Sequence, residues 1–140
     1  MKIDPAIIRA INRENRAYFS RLKKATRYRA QPTRDTDGTF FHSKGELRRW
    51  EELKLLEKAG EISELERQVK YNLHVVGGDG QPVFVARFTP DFKFIERSGE
   101  VVIEDFKSPA SAKDEAYRLR KRMFEAEYGL QVRETMRTRR

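Results

Sequence analysis

Residues 101–107 read VVIEDFK, and this stretch gives the clearest indication of the architecture. Its three apolar β-branched residues favour a strand, and an unbroken apolar run is typical of a strand inside a sheet. Side chains alternate between the two faces of a strand, so Asp105 and Lys107 share one face while Glu104 and Phe106 share the other. An acid and a lysine at the end of an apolar strand are costly to bury, unless the carboxylate binds a cation and the lysine faces water or phosphate. The stretch therefore predicts a central strand that ends in a chemical site.

A second acid precedes this strand. Pro90 biases Thr89 toward an extended conformation, so we expect Asp91 to open a strand of its own. The turn signal at residues 98–99, Ser-Gly, predicts that this strand pairs with residues 101–107 and brings Asp91 beside Asp105. Two converging carboxylates suit a hard divalent cation such as Mg²⁺ or Mn²⁺.

The remaining segments predict helices and further strands around this pair. From residue 43 the expected order is a helix, three or four strands, a helix and a strand, which is an α/β architecture with a mixed central sheet flanked by helices. An additional basic amphipathic helix is predicted at the N-terminus, followed by a loop. The predicted helices cover 4–25, 43–59 and 112–128; the loop covers 26–38; a hairpin covers 69–75 and 83–88; and a last short strand covers 130–133.

Charge and composition limit the classes of function. The 140 residues carry a net charge of +8, which indicates a polyanionic partner, and nucleic acid is the commonest one. The chain has no cysteine, so disulfides, thiolate zinc sites and cysteine nucleophiles are excluded. We see no secretory signal and no apolar run of the roughly 20 residues that a membrane span needs, and we expect a cytoplasmic protein with no membrane partner.

Two groups of basic residues are candidates for contact with DNA. One lies in the N-terminal segment and the other on the last long helix, where a tyrosine accompanies it. Each group has an equally good alternative interpretation, in which it forms the solvated face of a helix. The candidates are Lys23, Lys24, Arg27, Arg29, Tyr117, Arg118 and Lys121.

The ordered motifs resemble a known superfamily. Pro90-Asp91, followed after 13 residues by Asp105-Phe106-Lys107, has the form of the PD-(D/E)XK motif, and the chain is similar to PD-(D/E)XK nucleases. Over residues 27–134 it resembles a small family of previously unknown function that is encoded in phages and prophages. The resemblance implies a restriction-endonuclease-like αβββαβ core, related to Holliday junction resolvases. We place that core at residues 39–134, after a basic arm at 1–38 and before a basic tail at 135–140.

The same resemblance implies roles for individual residues. Asp91 and Asp105 would bind the metal, Lys107 would orient the attacking water and stabilise the transition state, and Glu46 would complete the metal site. Gln68 would be a possible accessory residue. Two alternatives stay open: Glu46 lies three residues after Ser43 and would also suit a capping box, and a register slip would exchange Asp105 for Glu104.

The sequence therefore predicts a Mg²⁺- or Mn²⁺-dependent DNA endonuclease, which the resemblance suggests leaves 5′-phosphate and 3′-hydroxyl ends and selects branched or nicked DNA. Cutting both strands of a duplex takes two sites, so a nuclease this small either dimerises or nicks one strand, and we expect a homodimer. The alternatives are a catalytically inactive accessory protein that binds DNA in phage recombination or packaging, and an interaction protein whose basic helices bind an acidic partner. His42 and His74 are isolated, and we expect both to be structural or exposed.

Overall fold

The structure is a computed structural model, and it describes Arg13 and residues 32–136. The chain divides into two units, Met1–Lys44 and Gly45–Arg140. The predicted helix over residues 4–25 lies outside the described residues apart from Arg13, which is helical. The candidate DNA contacts at 23, 24, 27 and 29, and the tail from 137 onward, also lie outside them.

The first unit contains a short hairpin. Strand β1, Thr33–Arg34, pairs antiparallel with β2, Phe40–Phe41. The backbone N–H of Asp35 donates to the carbonyl of Thr39 across the turn, at 2.9 Å. The loop predicted over residues 26–38 is therefore wrong at residues 33–34, because turn residues that signal a loop also serve a tight hairpin.

The second unit is built on a mixed four-stranded sheet. Its strands are β3 Ile62–Arg67, β6 Phe92–Glu96, β7 Val101–Lys107 and β8 Val132–Met136. They lie in the order β3-β6-β7-β8; the first two pairs are antiparallel and the last is parallel. The crossover to the parallel strand runs through helices, as parallel connections usually do.

A hairpin separates the first two strands of the sheet along the chain. It consists of β4, Tyr71–Val76, and β5, Pro82–Phe88, and it forms a two-stranded sheet of its own. Its base is buried through Leu73 and Phe88, which belong to the core. Its tip exposes apolar side chains, among them Val76 at 78% and Phe84 at 52%.

Helices cover both faces of the sheet. Helix α1, Lys44–Lys58, packs Leu53 against a cluster that includes Phe92 and Val102. Helix α2, Pro109–Ala112, is a single turn, and α3, Glu115–Tyr128, packs Phe124 in the same cluster as Ile103. Because residues 102 and 103 point to opposite faces of β7, α1 and α3 lie on opposite sides of the sheet.

The α/β class and the mixed sheet are confirmed, and so are the first core helix and the hairpin. Five strands lie between the two long helices rather than three or four, because β3 was not predicted. The helix predicted over 112–128 corresponds to α3 and begins later, at Glu115, since Asp114 caps α3 by accepting from the N–H of Tyr117; the separate turn α2 precedes it. The last strand lies at Val132–Met136, slightly later than predicted.

Within residues 32–136, every helix is too short or too polar to cross a lipid bilayer.

Candidate active site

Asp91 and Asp105 lie side by side at the ends of the two central strands. Phe92 pairs with Glu104 across the antiparallel β6 and β7, so the next pair in that register is Asp91 with Asp105. The backbone holds Asp91 from two sides. The N–H of Phe106 donates to its Oδ2 at 2.8 Å, and its carbonyl accepts from the N–H of Gln68 at 3.0 Å. The predicted pairing of the two acids is therefore confirmed.

Burial and the neighbouring acids disfavour the ionised form of Asp91. Burial raises the pKa of Asp91 to about 9, with further contributions from a hydrogen bond to Asp105 and from the charges of Asp105 and Glu46. The backbone N–H of Phe106 acts in the opposite direction. Asp105 is almost fully buried, with 2% of its surface exposed. A bound cation would relieve this repulsion, because it favours the ionised form of each carboxyl group.

Lys107 lies on the same face as Asp105, as strand alternation predicts. Its Nζ is 3.1 Å from Oδ2 of Asp105. The ammonium also lies 4.3 Å from the ring centre of Tyr117 on α3, within the range of a cation–π contact. The amine is thus fixed beside the paired acids, on a side chain that keeps about a fifth of its surface exposed.

Glu104 lies on the opposite face and is committed to another partner. Its two carboxylate oxygens accept hydrogen bonds from Nε and a terminal nitrogen of Arg49 on α1, at 2.7 and 2.9 Å. The side chain of Glu104 is fully buried. Such a bidentate charged pair fixes helix α1 against β7. The structure therefore does not bring Glu104 to the face that Asp91, Asp105 and Lys107 share.

Glu46 approaches the acids from helix α1. It lies in the first turn of the helix, it is 96% buried, and its charge contributes to the raised pKa of Asp91. The approach depends on Gly45, because a Cβ at that position would lie 2.6 Å from Cε1 of Phe106. With glycine there, the ring of Phe106 packs directly on the helix backbone. The start of α1 is in this way held close to the end of β7.

Arg67 stands beside Glu46, and the sequence analysis missed it. Its terminal nitrogen is 3.7 Å from Oε1 of Glu46, and its guanidinium lies over the ring of Trp50 at 5.5 Å. Trp50 in turn stacks on the buried Phe92, with ring centres 6.0 Å apart. Nothing in the spacing of the chain signals a pair between residues 46 and 67, since it arises only when β3 packs beside α1.

A second polar group surrounds the acids on the α3 side. Glu134 on β8 is the neighbour of Asp105 in the parallel register. It accepts from Nζ of Lys121 at 2.8 Å and from the hydroxyl of Tyr117 at 3.3 Å. The hydrogen bond from Lys121 lowers the pKa of Glu134. Sequence analysis missed Glu134, because its role depends on a parallel strand whose register cannot be read from spacing.

The other candidate residues differ in how exposed they are. Tyr117 is buried, Lys121 is half-buried and Arg118 is exposed. Gln68 is exposed and has a left-handed backbone, with φ of 49°. His42 is exposed, as expected.

His74 joins the hairpin to α3 and takes no part in the site. Its Nδ1 lies 2.6 Å from Oε1 of Glu127. Among the described residues, no three His, Asp or Glu side chains already stand close enough to enclose a metal ion. The available ligands are the adjoining pair Asp91 and Asp105, with Glu46 close enough to act on them electrostatically.

Comparison with known proteins yields one family. Residues 25–140 match the family described as Protein of unknown function (DUF1064), which is most of the chain. Comparisons with curated proteins and with solved structures give no match.

Proposed function

The chain belongs to the DUF1064 family, and since that family has no known function, we propose one from the site: a metal-dependent endodeoxyribonuclease of the PD-(D/E)XK type. The observation that carries the proposal is the contact between Asp105 and Lys107, one strand step apart, beside Asp91 on the neighbouring strand. An acid pair with an adjacent lysine is suited to hydrolysis of a phosphodiester. The acids hold a cation, and the lysine faces the reacting phosphate.

The order of elements supports a restriction-endonuclease-like core. Without the β4–β5 hairpin, the second unit runs α1, β3, β6, β7, α3, β8, apart from the single turn of α2. This is the αβββαβ order that the PD-(D/E)XK resemblance implies. The hairpin is then an insertion between the first and second strands of the core.

The side chains fit a hard divalent cation, Mg²⁺ or Mn²⁺. Carboxylate oxygens are the ligands that both ions prefer, and Asp91 and Asp105 offer them from adjacent strands. Because the pKa of Asp91 is raised to about 9, the cation has to displace a proton at neutral pH, and its affinity should increase as the pH rises toward that value. Glu46 would be the third ligand. When bound, the cation would supply Lewis-acid activation of the phosphate and of the attacking water.

Lys107 has two tasks in this proposal. Its ammonium is a fixed positive charge where negative charge develops on the phosphate, and such preorganised charge lowers the barrier of the reaction. It also donates to the nucleophile and so orients it. Tyr117 contributes by holding the ammonium against its ring.

The distribution of charge supports a DNA substrate. Residues 32–136 contain 18 lysines and arginines against 20 acids, so this part of the chain carries a slight negative charge. Residues 1–31 contain nine basic residues against two acids, and residues 137–140 contain three arginines. We infer that the terminal segments bind the phosphate backbone while the core cuts it. The binding residues would include Lys23, Lys24, Arg27 and Arg29.

We further propose that the enzyme acts as a homodimer and leaves 5′-phosphate and 3′-hydroxyl ends. Two copies would place two sites on a duplex or a branched substrate. The apolar side chains exposed at the hairpin tip, Val76 and Phe84 among them, supply surface for such an association. Sedimentation velocity of the wild type and of Phe84→Lys checks this: we expect a dimer that the lysine disrupts, and a monomeric wild type would contradict it.

Cleavage assays test the proposed reaction. Purified protein is incubated with linear, nicked, single-stranded and four-way-junction DNA in Mg²⁺, in Mn²⁺ and in EDTA. We expect metal-dependent cutting of at least one substrate. Lys107→Ala should reduce its rate by about 10²- to 10³-fold, the usual effect of removing one preorganised charge at a transition state. Asp91→Asn should abolish it.

Lys113→Ala is the matched control, because it removes an exposed lysine from the turn after α2. It should cut at the wild-type rate. Absence of cutting on every substrate would refute the enzyme. DNA binding without cleavage, unchanged in Asp91→Asn, would point to an accessory protein.

A further inference from the structure

Glu134 lies on the same face of the sheet as Asp105 and Lys107. Strands β7 and β8 run parallel, and their register pairs Asp105 with Glu134. Residues paired across neighbouring strands direct their side chains to the same face of the sheet. Val132, two residues before Glu134, packs in the same core cluster as Phe124 of α3, so this is the face that α3 covers. The backbone of the sheet therefore fixes another acidic side chain beside the proposed site.

Two residues of α3 hold the carboxylate of Glu134. Nζ of Lys121 donates to its Oε1 at 2.8 Å, and the hydroxyl of Tyr117 donates to the same oxygen at 3.3 Å. Tyr117 and Lys121 are four residues apart, which places both on one side of the helix. The side chains of Lys121 and Glu134 are 24% and 22% exposed, so most of this ion pair is shielded from water. Glu134 thus joins β8 to α3 next to the site.

Tyr117 connects this ion pair to Lys107. Nζ of Lys107 lies 4.3 Å from the centre of the tyrosine ring, which is a favourable distance for cation–π attraction. The ring is buried and lies beside Phe88, with ring centres 6.4 Å apart, so core packing limits where the ring can move. Its hydroxyl end is held by the hydrogen bond to Glu134. Because the attraction depends on where the ring lies, a displacement of the hydroxyl end would move the ammonium as well.

We propose that Glu134 is a positioning residue, which fixes the hydroxyl end of Tyr117 and through the tyrosine ring holds the ammonium of Lys107 at the reacting phosphate. The proposal rests on the nuclease function and adds a residue of the last strand to it. Lys121 completes the arrangement, because its charge neutralises Glu134 and so removes a repulsion toward an approaching phosphate. A displaced ammonium should affect the rate of cleavage much more than the affinity for DNA, since it acts on charge that develops in the transition state.

Nuclear magnetic resonance of the metal-free protein tests the contact between Lys107 and Tyr117 without any reaction. Protons above the face of an aromatic ring resonate upfield, so the Hε signals of Lys107 should be shifted upfield in the wild type. These signals are identified by their absence from Lys107→Ala. Glu134→Ala should remove most of the upfield shift, whereas Glu134→Gln keeps an acceptor for the tyrosine hydroxyl and should retain most of it. Unchanged Lys107 signals in Glu134→Ala would overturn the proposal.

Kinetics of single and double variants show whether Glu134 acts through Lys107. Cleavage is measured under single-turnover conditions in Mg²⁺, and DNA affinity by fluorescence anisotropy with Ca²⁺ in place of the catalytic ion. We expect Glu134→Ala to slow cleavage by about 10-fold without weakening DNA binding, because small displacements of a reacting group are costly. In the Lys107→Ala background the same change should have less than about a twofold effect. Equal losses in both backgrounds would overturn the proposal, because Glu134 would then act through the fold.

Glu96→Ala is the matched control. Glu96 also accepts a hydrogen bond from a basic residue of β8, since a terminal nitrogen of Arg133 lies 2.9 Å from its Oε1. It is the last residue of β6, however, at the opposite end of the strand from Asp91. Both the Lys107 signals and the rate of cleavage should match those of the wild type.

Tyr117→Phe keeps the ring but removes the hydroxyl, so it tests the same contact even if Glu134→Ala does not fold. It should reduce both the upfield shift of Lys107 and the rate of cleavage, and full retention of either would overturn the positioning role. That result would leave the nuclease function standing, since the wild type would still cut DNA. A wild type that cuts no substrate in Mg²⁺ or Mn²⁺ would refute the nuclease function itself, and the positioning role with it.

Discussion

At the scale of single residues, the site gathers more acidic groups than its fold requires. Asp91 and Asp105 are neighbours on adjacent strands, and Glu46 adds a third carboxyl group from α1. Buried like charges destabilise a folded chain unless something else compensates them. Such an arrangement is typical of functional sites, where stability is reduced to keep groups in a reactive state.

Asp91→Asn should therefore stabilise the metal-free protein. Since the pKa of Asp91 is raised in the folded state, its favourable contribution is complete at acidic pH and is lost as pH rises from its ordinary value toward about 9. Asparagine avoids that loss, and its carbonyl oxygen still accepts from the N–H of Phe106. In EDTA at pH 8 we expect a gain of about 1 to 3 kcal/mol.

Thermal unfolding in EDTA at pH 5, 7 and 9 measures this effect, and the gain should grow with pH. Asp79→Asn, in the exposed turn of the hairpin, makes the same chemical change away from the site. It should show no such trend. If Asp91→Asn were less stable than the wild type at pH 9, the charge repulsion would not be the dominant effect of this carboxyl group.

At the scale of elements, the joint between α1 and β7 holds the site together. On one side of β7, Arg49 fixes Glu104; at its end, Phe106 packs on Gly45. Both contacts hold the start of the helix against the end of the strand. Glu46 can approach Asp91 because of that joint.

Removing one partner of the Arg49–Glu104 pair should destabilise the folded protein. Arg49→Met leaves a fully buried carboxylate without its guanidinium, and we expect a loss of about 3 to 5 kcal/mol in the free energy of unfolding. The double variant Arg49→Met/Glu104→Met removes both charges and should recover most of that loss. Urea denaturation of the two single variants and the double variant gives the coupling energy. Additive losses would show that the pair contributes nothing as a pair.

Strand periodicity predicted the central part of the site but not its surroundings. The alternation of residues 101–107 was enough to place Asp105 and Lys107 on one face, because the period of a strand is fixed by its backbone. Strand β3 was missed, since its sequence ISELER is rich in charge and its ladder is interrupted near Glu64, which has φ of 52°. Arg49 and Arg67 were missed because only tertiary packing decides which carboxylate each one reaches.

At the scale of the whole molecule, charge is separated along the chain. The described core is slightly acidic, while the N-terminal segment and the C-terminal tail carry the positive charge. In the proposed nuclease, DNA that approaches the acids of the core would therefore be held by the terminal segments. This division predicts which residues set the salt dependence of binding.

The variant with Lys23, Lys24, Arg27 and Arg29 all changed to glutamine should bind duplex DNA more weakly. Each lost phosphate contact lowers the slope of log affinity against log salt by about 0.9, so we expect a change of roughly 3 to 4 units. Fluorescence anisotropy across a salt series measures it. The control changes four basic residues of the core, Lys54, Lys58, Arg97 and Lys113, and should alter the slope by less than half as much. Equal slopes in the two variants would contradict the proposal that the terminal segments, and not the core, bind the DNA phosphates.

The buried pair of Arg49 and Glu104 also constrains how sequences of this family diverge. A chain that loses one partner keeps a lone charge in its interior, and few such chains would fold well enough to be inherited. The two positions should therefore covary: family members keep arginine with glutamate, exchange the two, or carry apolar residues at both. If the proposed nuclease function holds, positions 105 and 107 should follow a different rule and stay fixed, because selection would act there on the reaction instead of on an exchangeable contact.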